Sequence, residues 1–405
     1  MLFNQVVGQQ HIKQKLVTMV AHNRLSHALL FLGKEGSGAL PLALAFANYV
    51  CLQATPQVSS SSGASLFGEA QDTPAATPIP NTVAEADAFT LQHPGYSKVS
   101  NLIHPDIHYT YPVIIKKTGD KPLSSVYAKE WRAYLQEQPY GNSYDWLQYI
   151  KAENKQGNIS AQECADIQHQ LSLKSFESDY KILVLWMPEF LGNQGNKLLK
   201  LIEEPPPNTL FILVAENEEH ILPTIISRTQ LVKVPLAADE DIVQYLRDKT
   251  DVVQAMQVTG IAEGNIREAL QLLLHQEHDW LQLAKDCFNA AKTHSPTLMV
   301  QWVTKCAELG REKQKQYLRY LIHLIECAIK ATIMGKDVLQ LTDADAQFVL
   351  KLVALLQVDA LETLAVTFNN QIYSVERNAN AKMLFHALII RVHHIISNKN
   401  VILIQ

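Results

Sequence analysis

Residues 28–40 read ALLFLGKEGSGAL and run into PLALAFANYV at 41–50. A short apolar run ending on glycine reads as a buried strand, and Pro41 suits the first turn of the helix behind it. Strand, glycine-rich turn and helix make the arrangement of a phosphate loop, in which backbone N–H groups face phosphate oxygens at a helix N-terminus. The working form is glycine, four residues, then Gly-Lys-Ser/Thr; the lysine reaches the β and γ phosphates and the hydroxyl ligates magnesium. Gly33 and Gly38 stand at the two glycine positions, with Gly36 between them. Ala39 takes the lysine position and Leu40 the hydroxyl position. Neither can donate to a phosphate or bind a metal, and Lys34 lies on the wrong side of the loop to substitute. A glycine-rich turn that merely joins strand to helix accounts for the same residues.

Working outward, KILVLW (181–186) and TLFILVA (209–215) are two more apolar runs, separated by a helical pattern at 194–203. Strands alternating with helices imply a parallel sheet covered on both faces. ATP chemistry needs an acid at the end of the second core strand, to hold magnesium and orient water. Leu185-Trp186-Met187-Pro188-Glu189 stands there, with an indole in the acid's region. Two losses at the two required places argue against hydrolysis, and no cofactor is expected.

Composition narrows the classes further. The chain has 405 residues, 47% of them hydrophobic, a length that favours two or three domains. No apolar run approaches the ~20 residues of a membrane span, and the opening MLFNQVVGQQ has no signal-peptide pattern. Cys51, Cys164, Cys287, Cys306 and Cys327 are widely spaced with no CxxC pair, as expected of reduced cytoplasmic thiols. A net charge of -5 does not predict tight nucleic-acid binding.

Residues 54–88 are rich in Ser, Thr, Ala and Pro and read as a mobile insertion, because so few apolar groups cannot offset the entropy of ordering. Residues 126–150 carry Trp131, Tyr134, Tyr140, Tyr144 and Trp146 and read as an ordered part of the first domain. From about residue 239 the pattern is helical, with Asp239 as a candidate N-cap ahead of Ile242, Val243 and Leu246. Leu318, Leu321, Ile322, Ile325 and Ile329 form one helical stripe, and Leu384, Phe385, Leu388 and Val392 another.

Three stretches carry a resemblance. Phe3, Val6, Gly8 and Gln9 with 24–33 (RLSHALLFLG), then 196–213 (NKLLKLIEEPPPNTLFIL), then 222–229 (LPTIISRT) resemble the clamp-loader AAA+ subunits of bacterial DNA polymerase III. Thr229 replaces the cysteine of that family's Ser-Arg-Cys motif, and Gly264-Asn265-Ile266-Arg267 is similar to its sensor-2 segment. The lost lysine and acid resemble the nucleotide-dead, delta-prime branch. The resemblance implies an AAA+ α/β domain at 1–236, a small helical lid at 237–290 and a helical collar at 291–405. It implies gamma/tau-type ATPase subunits and a delta subunit as partners, with the sliding clamp and primed DNA reached mainly through the complex and no membrane. It also implies that Arg228, with Ser227, is an arginine finger completing a neighbour's ATPase site; an ordinary surface ion pair is the alternative reading. An active AAA+ motor and a repair scaffold on the same fold are the competing functions.

No metal site is expected. The family's four-cysteine zinc module would need three ligands besides Cys51, and 90–99 (TLQHPGYSKV) has no cysteine. His104, Asp106 and His108 alternate as ligands on a strand would, but a turn at His104-Pro105-Asp106 accounts for them more simply. Arg267, with no competent loop to serve, is expected to pair with a carboxylate or cap a helix.

Overall fold

The computed structural model describes residues 1–53, 79–115, 122–152, 157–274, 280–335, 341–377 and 379–397, which form two compact units, 1–238 and 239–405. In the first unit the order is α1 (Gln10–Ala21), β1 (Ala28–Leu32), α2 (Ala39–Gln53), α3 (Val83–Gln92), α4 (Tyr96–Ser100), β2 (Ile107–Thr110), α5 (Ala128–Glu137) and α6 (Ser143–Tyr149). Then come α7 (Ala161–Ser172), β3 (Lys181–Trp186), α8 (Asn196–Glu203), β4 (Thr209–Ala215), α9 (Pro223–Ile226) and β5 (Gln230–Lys233).

The five strands make one parallel sheet in the order β2-β3-β4-β1-β5. β3 and β4 are buried along their whole length, which is why they read as unbroken apolar runs. Successive side chains serve opposite faces. Leu29, Phe31, Ile182, Val184, Ile212 and Val214 pack in the core that holds α2, while Leu30, Leu183, Leu185, Phe211 and Leu213 pack in the core that holds α7 and α8. The α/β half expected from the sequence is present, and its class is that of an AAA+-type P-loop domain.

α2 is buried on every side from Ala39 to Leu52. It is apolar all round because the sheet covers one face while the N-terminal segment and α3 cover the rest. α3 corrects the sequence reading of 54–88. Residues 54–78 lie outside the described residues, but 83–88 are helical. Thr82 and Glu85 form a capping box, Ala86 is buried, and the Asp87 carboxylate accepts from the N–H of Phe3 and of Asn4 at 2.8 Å each. Composition hides this, because the residue that orders the segment is a buried acid rather than an apolar side chain.

The 126–150 segment is ordered as expected. Trp131 stacks on Tyr111 at 4.0 Å between ring centroids, and Trp146 donates its indole N–H to the Pro112 carbonyl at 2.7 Å.

The second unit is wholly helical among its described residues: α10 (Asp239–Leu246), α11 (Val252–Ala262), α12 (Ile266–Leu274), α13 (Trp280–Thr293), α14 (Pro296–Glu308), α15 (Arg311–Met334), α16 (Asp343–Leu355), α17 (Val358–Glu376) and α18 (Ala381–Ile396). Asp239 opens α10 as its first helical residue rather than standing before it as the N-cap, and with Glu240 and Asp241 it places negative charge at the positive end of the helix. One apolar core joins Leu318, Leu321 and Ile325 of α15, Leu361, Leu364 and Phe368 of α17, and Leu384, Phe385 and Leu388 of α18. Among the described residues, no helix is long and apolar enough to cross a membrane.

Candidate functional site

The turn after β1 has phosphate-loop geometry. Gly36 and Gly38 hold φ of 72° and 85°, left-handed values that favour glycine. At Gly33 a Cβ would lie 2.4 Å from Ser37 Oγ and 2.7 Å from the Val234 carbonyl oxygen, so the close approach of the loop to the residue that follows β5 requires glycine. α2 begins on cue, with the Leu42 N–H donating to the Gly38 carbonyl at 3.0 Å.

What the loop faces differs from a nucleotide site. Ala39 and Leu40 are 6% and 5% exposed, turned into the core rather than toward solvent. Tyr140, from the turn between α5 and α6, lies over the loop. A Cβ on Gly38 would sit 3.2 Å from its ring, and its hydroxyl accepts from the Val7 N–H at 2.9 Å. Trp186 closes the side wall, buried and 5.1 Å from the Trp131 ring. Gly33, Gly36, Gly38, Ala39, Leu40, Tyr140 and Trp186 thus line one cavity with about 30 Å³ of free space, room for about one or two waters. No side chain at the start of α2 can donate to a phosphate or hold magnesium.

Glu189, just past β3, has another task. Its Oε1 accepts from the N–H of Glu216 at 2.7 Å and of Asn217 at 2.9 Å, fastening the loop after β4. Burial pushes its carboxyl above the usual range, against the lowering effect of those bonds. Neither this clasp nor the Tyr140 lid was found from sequence. The aromatic richness of 126–150 was the only signal for Tyr140, and it did not say what the ring covers.

Ser227 and Arg228 lie apart from that cavity, on the exposed turn after α9. Arg228 Nε is paired with the Glu203 carboxylate at the end of α8; Nη1 donates to the Thr224 carbonyl at 2.8 Å and to Ser227 Oγ at 3.2 Å. Nη2 has no partner among the described residues. Arg267 is buried and faces the Glu312 carboxylate at 3.8 Å within the second unit, the carboxylate pairing expected of it.

The alternating triplet does not form a ligand face, because β2 starts only at Ile107. Asp106 accepts from the N–H groups of Phe176, Glu177 and Ser178 at 2.6–2.8 Å, and His104 Nδ1 lies 3.4 Å from Cys51 Sγ. Burial pushes the Cys51 thiol up to about 12 and the His104 imidazole down. Among the described residues, no group of three His, Cys, Asp or Glu is arranged to hold a metal.

Sheet order, glycine loop and helical second unit define the class: an AAA+-type domain with a degenerate phosphate loop, followed by a helical unit. Residues 95–237 match the family model described as DNA polymerase III, delta subunit. The DNA polymerase III subunit delta' of Bacillus subtilis is 22% identical over 66% of this chain and 60% of its own length. That of Haemophilus influenzae is 28% identical over 39% of this chain and 46% of its own. The DNA polymerase III subunit gamma of Buchnera aphidicola is 30% identical over 28% of this chain and 34% of its own. The chain therefore spans less than two thirds of each of these curated relatives. The chain is similar to clamp-loader subunits of DNA polymerase III, delta' and gamma subunits among them.

Proposed function

We propose that this chain is a non-hydrolysing subunit of a DNA polymerase III clamp loader, supporting ATP-driven loading of the sliding clamp onto primed DNA. The observation that carries the reading is the sealed phosphate loop. Ala39 and Leu40 remove the phosphate and magnesium contacts, and Tyr140 and Trp186 occupy the space over the loop. The identity to a gamma subunit favours an active motor as the second reading, and the same four residues argue against it. In the proposed complex, 237–290 acts as lid, 291–405 as collar, and the partners are gamma/tau-type ATPase subunits and a delta subunit.

Arg228 is the residue this subunit offers to a neighbour. Phosphoryl transfer needs a cation where charge develops on the γ-phosphate, and an arginine supplied across an interface accelerates it by about 10³-fold or more in related systems. The pair with Glu203 is exposed at both ends, as the surface-pair reading requires, and contributes under about 1 kcal/mol to stability. Such a pair is weak enough to yield when a neighbour's nucleotide presents a phosphate. In a loader reconstituted with its gamma-type and delta subunits, Arg228→Ala should leave assembly intact and cut DNA-stimulated ATPase partially, in turnover more than in ATP affinity. Arg228→Lys should rescue poorly, since an ammonium lacks the planar fork of donors. Unchanged turnover in the assembled Arg228→Ala complex sends Arg228 back to a surface pair, and ATP turnover by the purified chain alone defeats the non-hydrolysing reading.

A further inference from the structure

A second cavity, of about 270 Å³, opens at the free edge of β2. The turn at Leu102–Pro105, Ile107 and Tyr109 of β2, and Trp131 and Arg132 of α5 are among its walls. Its chemistry is one-sided. No Asp or Glu is among the described residues that line it, while Arg132 contributes a guanidinium. Arg132 spends Nε on the Leu102 carbonyl at 3.1 Å, and its two terminal nitrogens have no partner among the described residues. Burial lowers the pKa of both histidines on the wall, His104 and His108, so each favours its neutral form and Arg132 supplies the fixed positive charge.

Two further groups are left unsatisfied. The Trp131 indole Nε1–H and the Tyr109 hydroxyl are buried without a hydrogen-bond partner, although Trp146 and Trp302 both place their indole N–H on carbonyls. A buried donor without an acceptor costs about 1–3 kcal/mol, so native structures rarely keep one without a reason. An indole N–H can only donate, and so can a guanidinium. Burial pushes the Tyr109 hydroxyl above its ordinary range, which keeps its proton in place as well. The wall in front of Trp131 carries Leu102, Ile107 and the Tyr111 ring that stacks on it, with Ser124, Ser125 and Gln170 as uncharged polar neighbours.

We propose that this cavity is a binding site for a small organic carboxylate with an apolar, ring-sized body, its carboxylate on Arg132 and its body against Leu102, Ile107 and Tyr111, with the buried Trp131 indole behind that wall as the reporter of occupancy. One fixed cation and no lining anion match a single negative charge, and a planar carboxylate fits the fork of a guanidinium. Trp131 also touches Trp186, so an occupant sits one aromatic ring away from the sealed phosphate loop. The site does not depend on the chain's proposed role in a loader.

The test is the indole ¹H–¹⁵N spectrum of the full chain, whose five tryptophans give five resonances, that of Trp131 assigned by Trp131→Phe. Benzoate at millimolar concentration should shift the Trp131 N–H saturably. Acetate, which lacks the body, and methyl benzoate, which lacks the charge, should bind about tenfold more weakly or not at all. Arg132→Gln should weaken benzoate by about tenfold while the other four resonances stay in place, and Arg132→Lys should recover only part of the loss. No response of Trp131 to benzoate overturns the proposal, as does methyl benzoate binding as well as benzoate. A response to inorganic phosphate without one to benzoate overturns the carboxylate assignment. The ligand comparisons need no substitution, so a misfolded variant leaves the test intact.

Discussion

At the scale of single residues, Tyr140 and Trp186 wall the small cavity at the glycine loop. Tyr140 ties three separate pieces of chain together: the turn after α5, the phosphate loop under its ring and the N-terminal segment through Val7. Tyr140→Phe keeps the ring and removes the acceptor, leaving the buried Val7 N–H without a partner. It should cost about 1–3 kcal/mol in urea denaturation. Trp186→Ala should cost more, about 3–5 kcal/mol, because the cavity it leaves is walled by the Trp131 and Tyr134 rings and cannot easily collapse. A Trp186→Ala chain as stable as the natural one would mean the indole is not a packing element. The replacement of the lysine, hydroxyl and acid was legible in the sequence because those positions are counted along the chain from a strand end. The Tyr140 lid was not, because Tyr140 reaches a loop about a hundred residues before it.

At the scale of elements, α3 shows how one charged group can order a segment. Asp87 accepts from two N–H groups of the N-terminal turn at once, and Phe3 is buried beside it. Asp87→Ala strands the buried Phe3 N–H and loosens the half-buried Asn4 N–H, and should cost about 1–3 kcal/mol, read as a fall in melting temperature. If melting does not move, the N-terminal turn is held by Phe3 alone. α15 carries a titratable group that burial perturbs, His323. Burial pulls His323 down from 6.5 to about 4; Lys330 adds to the lowering, while Asp345 and a backbone bond with Gly260 oppose it. A Cβ on Gly260 would lie 2.7 Å from the ring, so α11 and α15 meet on this imidazole. Its folded-state pKa is depressed and the neutral form is the favoured one. Stability is therefore whole above about 6.5 and is lost as pH falls toward about 4, where the unfolded chain takes a proton that the folded chain refuses. The loss should be about 3 kcal/mol at most, and His323→Gln should flatten that limb of the stability-pH curve. An unchanged slope in the variant assigns the limb to other groups. The stripes Leu318–Ile325 and Leu384–Val392 were visible beforehand, since a helix repeats its buried face every three to four residues.

At the scale of the whole molecule, the proposed non-hydrolysing role predicts that ATP is a poor ligand for the chain alone, since Ala39 and Leu40 stand at the lysine and hydroxyl positions of the loop. Calorimetry with magnesium-ATP should detect no binding at micromolar concentrations; micromolar affinity would require the Tyr140 lid to open and the loop to bind without its lysine. The central strands were read from their apolar runs, yet β2 and β5, the two edges of the sheet, were not recognised as its strands. Edge strands are half covered, so Ile107–Thr110 mixes buried with half-buried residues, Gln230–Lys233 buried with exposed ones, and neither carries an unbroken apolar run. The 54–88 reading failed in part for a related reason: low apolar content predicts weak burial on average, and α3 is held by a buried carboxylate instead.

By itself the sequence determined the class of both halves, the strand–glycine loop–helix at 28–53, the missing phosphate and magnesium ligands, and the likeness to clamp-loader subunits. All of these are local: they depend on residue types at fixed offsets along one element, where geometry follows from chain connectivity. Only the tertiary structure decided what fills the loop, that Glu189 fastens the turn after β4, that Asp87 ties α3 to the N-terminus, and that Arg228 rests on Glu203. Those contacts join residues 27, 84 and 25 positions apart, and more for Tyr140 with Val7 at 133. Their partners are chosen by how layers pack around a shared core, and one-dimensional spacing carries no record of that choice.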